Sequence, residues 1–170
     1  MTVQLPIESA LKDTHLAAID AVNRWRGHCV ERYARLEHEV TTTLSAMAAA
    51  PGSTVRVPHN FGEKVKSLRA AITADGSFAN PKLAKALDSF EDHLTRRNML
   101  VHASGKVWID GKGEWLWRYQ FQPSGKGKTL EVGCFEEKEA RAIEEALARE
   151  SQSLGGQLRA LRQKLEAVTE

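Results

Sequence analysis

Apolar residues recur at helical spacing over most of this chain. From Ile7 to about Ala50, Leu16, Ile19, Val22, Cys29, Tyr33, Leu36, Val40, Leu44 and Met47 fall near one stripe, with charged residues between them. This predicts either one helix of about ten turns or two pieces that bend near Gly27, the one helix breaker inside the run. Pro51-Gly52-Ser53 ends it, and a short extended piece, Thr54–Val57, comes next. Phe61, Val65, Leu68 and Ile72 mark the apolar face of a second helix, with Asn60 as candidate N-cap and Asp75-Gly76-Ser77 as its break. A third helix opens at Asn80-Pro81, since proline suits the first turn.

After Gly105 the period changes from helical to alternating. Val107-Trp108-Ile109 reaches the turn Asp110-Gly111-Lys112-Gly113, and Trp115, Trp117, Tyr119 and Phe121 then alternate with Leu116, Arg118 and Gln120. A second turn, Pro123 to Lys128, leads to a third strand from Thr129 to Cys134. Glu136 to Val168 returns to helix, with Ile143, Leu147, Leu154, Leu158, Leu161 and Leu165 on its apolar face and a kink or split expected at Gly155-Gly156. The expected fold is mainly α: a helical bundle in one domain over 1–170, with a small antiparallel three-stranded β-meander (about 106–134) between the last two helices. The apolar stripes of the first and last helices exceed what the two shorter helices can cover, so a symmetric dimer is expected, with the two Arg97 side chains near its axis.

Composition narrows the class without naming it. An apolar fraction of 42%, a charged fraction of 27% and a formal charge of +2 describe an ordinary, mildly basic globular chain. That charge permits a nucleic-acid partner without requiring one. No apolar run approaches a membrane span, and Met1–Pro6 lacks the pattern of a signal peptide. Cys29 and Cys134 are isolated, which favours reduced thiols and a cytoplasmic location.

The third helix carries the chemistry. Leu83, Leu87, Phe90 and Leu94 recur at steps of four, three and four, and the run continues to Val101. The beat after Leu94 falls on Arg97, where a cation is costly unless something anionic meets it. Asn98 is next, and His102 closes the helix before Ala103-Ser104-Gly105. A guanidinium can bind two phosphoryl oxygens at once, and an imidazole can give or take a proton at neutral pH. Cleavage of RNA through its own 2′-OH needs those two functions: proton transfer at two oxygens and positive charge for the phosphorane. In a straight helix Arg97 and His102 stand about 140° apart, so they converge on one phosphate only if the helix unwinds at His102 or a second subunit supplies the partner. The bland alternative pairs Arg97 with Asp88 or Glu91 and leaves His102 as a cap at the helix end. Arg32 and His38 show similar spacing on the first helix, but in an Arg- and Glu-rich segment that reads as a solvated face.

Arg97-Asn98-Met99-Leu100-Val101-His102 resembles the signature of the HEPN superfamily: Arg, a polar residue, then His. The likeness is specific over Pro81 to Ala103 and weaker over Phe61 to Ile72. It implies a dimerising helical bundle and, in many members, a metal-independent endoribonuclease of toxin–antitoxin, phage-defence or RNA-processing systems; other members are inactive binding modules. On this likeness Arg97, His102 and Asn98 are the catalytic candidates, with Arg96 and His93 as further RNA contacts. The alternative role for His93 is a structural hydrogen bonder, and for Arg96 a solvated charge. The expected partners are RNA, a second copy of the chain and a cognate antitoxin or other protein, with no cofactor and no membrane. The β-meander departs from the plain bundle, and Lys106, Lys112, Lys126 and Lys128 near it could extend a basic rim. The strand aromatics Trp115, Trp117, Tyr119 and Phe121 are read as core rather than as a base-stacking platform.

Two other motifs fail on their residues. Gly127-Lys128-Thr129 resembles the end of a phosphate-binding loop, but Gln122 stands where the first glycine is required, and a strand comes after it instead of a helix. No His-Glu-x-x-His or cysteine cluster offers a metal site.

Overall fold

The computed structural model describes residues 6–74, 76–123 and 127–169, and within them every side chain except those of 6–10, 91, 92, 168 and 169. Asp75 in the predicted break, Lys126 in the second meander turn and Glu91 as a partner for Arg97 therefore lie outside the described residues. The order of elements is α1 (Pro6–Ala49), α2 (Phe61–Thr73), α3 (Pro81–His102), β1 (Ser104–Ile109), β2 (Trp115–Phe121), β3 (Glu131–Glu136) and α4 (Glu137–Thr169). The fold is mainly α, with a three-stranded antiparallel sheet between the last two helices, as the change of period predicts.

Both long helices run through their glycines. Gly27 is exposed on α1 between the buried Trp25 and Cys29, and α4 passes Gly155-Gly156 between the buried Leu154 and Leu158. A helical glycine costs about 1 kcal/mol, less than the burial of two large apolar side chains contributes. The chain forms two compact units, one made of α1 up to Val30 with Arg97–Ala146, the other of Glu31–Arg96 with α4 from Leu147 onward.

In the first unit the sheet has the order β1-β2-β3, which leaves β1 and β3 as its edges. Val107 stands opposite Trp117, and Trp117 opposite Phe135, so these three share the inner face. Trp25 of α1 meets that face, with ring centroids 5.8 Å from Trp115, 6.0 Å from Trp117 and 5.4 Å from Phe135. The alternating aromatics are thus core, with Trp115, Trp117 and Phe121 buried and Tyr119 half-buried. The register places Gly105 and Gly133 on either side of Tyr119. A Cβ at Gly133 would lie 2.5 Å from the Tyr119 hydroxyl, and one at Gly105 would overlap the Trp117 indole nitrogen and the Arg118 carbonyl. The two glycines thus leave room for wide rings to lean across neighbouring strands. The third strand runs two residues later than the sequence suggests, because Phe135, not a residue before it, pairs with Trp117.

In the second unit the buried side chains come from all four helices: Tyr33, Leu36, Val40, Leu44 and Met47; all four residues of the predicted α2 face; Leu83, Leu87 and Phe90; and Leu147, Leu154, Leu158 and Leu161. Asn80 caps α3, its Oδ1 accepting from the Leu83 N–H at 3.0 Å. Asn60 holds the N-cap position of α2, but its side chain makes no capping bond. Polar ties join distant segments of this unit. Lys64 pairs with Glu37 at 2.8 Å and Arg69 with Asp88 at 2.7 Å. Arg162 and Arg159 donate to Glu39 at 2.7 and 2.9 Å. Burial tends to raise the Glu39 carboxyl, but the hydrogen bonds and charges of Arg162 and Arg159 outweigh it and hold the group below the usual carboxylate range.

Candidate functional site

Helix α3 keeps its geometry to its last residue. The Ala103 N–H donates to the Met99 carbonyl at 2.8 Å, which closes the turn around His102. Among the last residues, Met99, Leu100 and Ala103 are buried, while Val101 is 38% exposed. The inner stripe therefore does not run through Leu94 to Val101. Leu94 is only half-buried, and the buried positions are Phe90, His93 and Leu100. Arg97, four residues after His93 and three before Leu100, keeps its place on that row and is half-buried.

The structure brings Arg97 and Asn98 together. Arg97 Nη1 donates to Asn98 Oδ1 at 2.9 Å. His102 is exposed on the closing turn of the same helix. Of the acids proposed as partners of Arg97, Asp88 is paired with Arg69. The first unit thus presents a half-buried cation, a polar residue bonded to it and a solvent-reachable imidazole on six consecutive residues. A guanidinium of this kind can bind a phosphodiester, and an exposed imidazole can exchange protons, each on its own side of the helix.

Arg96 and His93 belong to the second unit. Arg96 is half-buried. His93 is 5% exposed and stacks on Phe90 with centroids 4.9 Å apart. Its Nε2–H donates to Glu150 at 2.7 Å, and Nδ1 accepts from the Tyr33 hydroxyl at 3.3 Å. Both ring nitrogens are thus engaged within the second unit, the geometry of a structural hydrogen bonder.

Sequence reasoning missed Arg26. Its guanidinium donates to the Leu100 carbonyl at 2.7 and 3.2 Å and to the Ala103 carbonyl at 3.1 Å, and lies 4.5 Å from the centre of the Trp117 ring. The last carbonyls of a helix have no partner within it and carry partial negative charge, so Arg26 satisfies the end of α3 on both sides of His102. Burial lowers its basicity from the ordinary arginine value. A signal was present in the spacing, because Arg26 stands four residues after Val22 and three before Cys29, on the buried row of α1.

Arg26 also lines a groove of about 460 Å³ in the first unit, between α1 and the edge strand β1. His15, Ile19 and Asn23 of α1 and Lys106, Val107 and Trp108 of β1 contribute to its walls. All three ionisable residues on the lining, His15, Arg26 and Lys106, are basic types, and Trp108 is 56% exposed.

Among the described residues, no group of three or more His, Cys, Asp or Glu side chains is placed to hold a metal ion. Among the same residues, no helix is long and apolar enough to cross a membrane. No protein-family model, no curated protein and no solved structure matches the chain.

Proposed function

We propose that the chain is a HEPN-type endoribonuclease that cleaves RNA without a metal ion, at a composite site supplied by two copies of the chain. The observation that carries this reading is that α3 remains helical through His102. Arg97 and His102 then stand about 140° apart around one helix axis, which keeps them from converging within one chain. A second copy with its motif facing the first supplies the missing half. Each phosphodiester meets an arginine pair and a histidine pair.

In the reaction, one His102 imidazole takes the proton of the ribose 2′-OH as that oxygen attacks phosphorus. The other copy's imidazole protonates the departing 5′-oxygen. Arg97, bonded to Asn98, balances the charge that builds on the phosphorane oxygens. The bond formed is 2′-O–P, the bond broken is P–5′-O, and the products are a 2′,3′-cyclic phosphate and a 5′-hydroxyl. A role in toxin–antitoxin or phage-defence systems, in the cytoplasm and under restraint by a cognate protein, is the setting that suits such an activity.

The test is incubation of the purified protein with RNA in excess EDTA. Cleavage is expected to persist, with products ending in 2′,3′-cyclic phosphate or its hydrolysed form, and substrates with 2′-deoxy residues should resist. Activity that vanishes in chelator and returns with Mg²⁺ or Mn²⁺ would reject the mechanism. Light scattering at micromolar concentration is expected to show a dimer. A monomer that cleaves RNA would exclude the composite site.

A further inference from the structure

The groove between α1 and β1 is separate from the residues that the proposed reaction uses, and its chemistry points to a ligand. Its lasting cations come from both walls: Arg26 from α1 and Lys106 from β1. β1 itself, Ser104–Ile109, carries Lys106 and no acidic residue. Arg26 is spent on the Leu100 and Ala103 carbonyls, but it keeps its charge, so the groove is positive against the end of the motif helix. Trp108 is a large apolar ring held 56% exposed on an edge strand, where packing does not require it. In the sheet register Trp108 stands opposite Leu116 and Lys106 opposite Arg118, so indole, ammonium and the exposed Arg118 share the solvent face at the rim of the groove, with Glu136 on the same face at the far strand. An exposed ring among cations is the arrangement that takes a nucleobase and its phosphate: the base stacks on the ring, and the backbone tracks the charge.

We propose that the rim of this groove is a subsite for one nucleotide of a single-stranded RNA, its base on Trp108 and its phosphate held by Lys106. The choice of RNA as ligand rests on the proposed function, while the position rests on the groove's own residues. Arg26 bonds the carbonyls on both sides of His102, so a strand seated here lies against the turn that presents the imidazole. Charge complementarity favours a polyanion over a peptide added to the β1 edge, which would bond backbone and make little use of the lysine or the ring.

The experiment measures binding of a fluorescein-labelled octaribonucleotide with 2′-O-methyl groups throughout, by fluorescence anisotropy. That strand cannot be cut through its 2′-oxygen, so affinity is read apart from cleavage, and a protein that never cleaves RNA can still pass. Trp108→Ala is expected to weaken binding at least about fivefold, and Trp108→Phe to restore most of it, because stacking contributes about 1–3 kcal/mol per base. Lys106→Gln should flatten the salt dependence by about 0.7 in log–log slope, the share of one phosphate contact on a single strand. Adenosine monophosphate and inorganic phosphate at millimolar concentration are expected not to displace the strand. Displacement by either assigns the groove to a free nucleotide or anion and overturns the RNA subsite. Affinity within twofold of wild type in both folded Trp108→Ala and Lys106→Gln proteins also overturns it and leaves the β1 edge to a peptide.

Discussion

Replacing His102 with alanine is expected to end RNA cleavage while leaving RNA affinity nearly unchanged. General acid–base catalysis contributes about 10²–10⁴-fold per proton transfer, and the substitution removes the group from both copies of a composite site. The binding side is different, because the guanidiniums hold the phosphates and one imidazole at a helix end adds little to the capture of a polyanion. His102 is exposed, so its truncation removes no core contact. Arg97→Ala should behave otherwise and lower both affinity and rate, since the guanidinium meets phosphate in the ground state and the transition state. Arg97 is half-buried and bonded to Asn98, so its variant must be checked for folding in parallel. The double variant should be little worse than the single ones if the two residues act as a unit. Single-turnover rates with anisotropy on the same RNA separate the two quantities. Unchanged cleavage in a folded His102→Ala protein would remove the catalytic assignment. A wild-type protein that binds RNA through Arg97 and never cleaves it would instead be a binding module.

The sequence was most legible where one period or one stop signal dominated. The end of α3 at His102, the turn at Asp110–Gly113 and the strand Trp115–Phe121 come directly from spacing. Reading went astray where tertiary partners decide. Leu94 and Val101 look like stripe residues, but His93 takes the inner position because Tyr33 and Glu150 satisfy both of its nitrogens. That compensation comes from residues 60 and 57 positions away, which local pattern cannot show. Arg26 was hidden for a similar reason. A cation on a buried row reads as a cost until its acceptors are known, and these are the carbonyls of a helix end more than 70 residues along. The start of β3 was misplaced because Thr129 and Leu130 are as strand-like as Val132 and Phe135, and only pairing with β2 selects Glu131–Glu136.

The largest effect on stability is expected at Trp117. It is 2% exposed, and its ring meets Trp25, Tyr119 and Phe135 at centroid distances of 6.0, 5.4 and 6.2 Å. Arg26 rests over it at 4.5 Å, and a Cβ at Gly105 would overlap its indole nitrogen. One side chain therefore joins α1 to all three strands. Truncation of a buried tryptophan to alanine costs about 3–5 kcal/mol, since the large void left behind cannot fully collapse. Trp117→Ala should move the urea midpoint of unfolding strongly downward, whereas Trp117→Phe, which keeps a ring beneath Arg26, should cost distinctly less. Trp108→Ala is the matched control, the same truncation on the neighbouring strand at an exposed position, and should shift the midpoint little. The Trp117 change should also reach the motif, because Arg26 loses the surface that holds it against the Leu100 and Ala103 carbonyls. Amide hydrogen exchange at the end of α3 is expected to quicken in Trp117→Ala beyond the general loss of stability. Equal midpoints for the Trp117→Ala and Trp108→Ala proteins would refute the central place given to this ring.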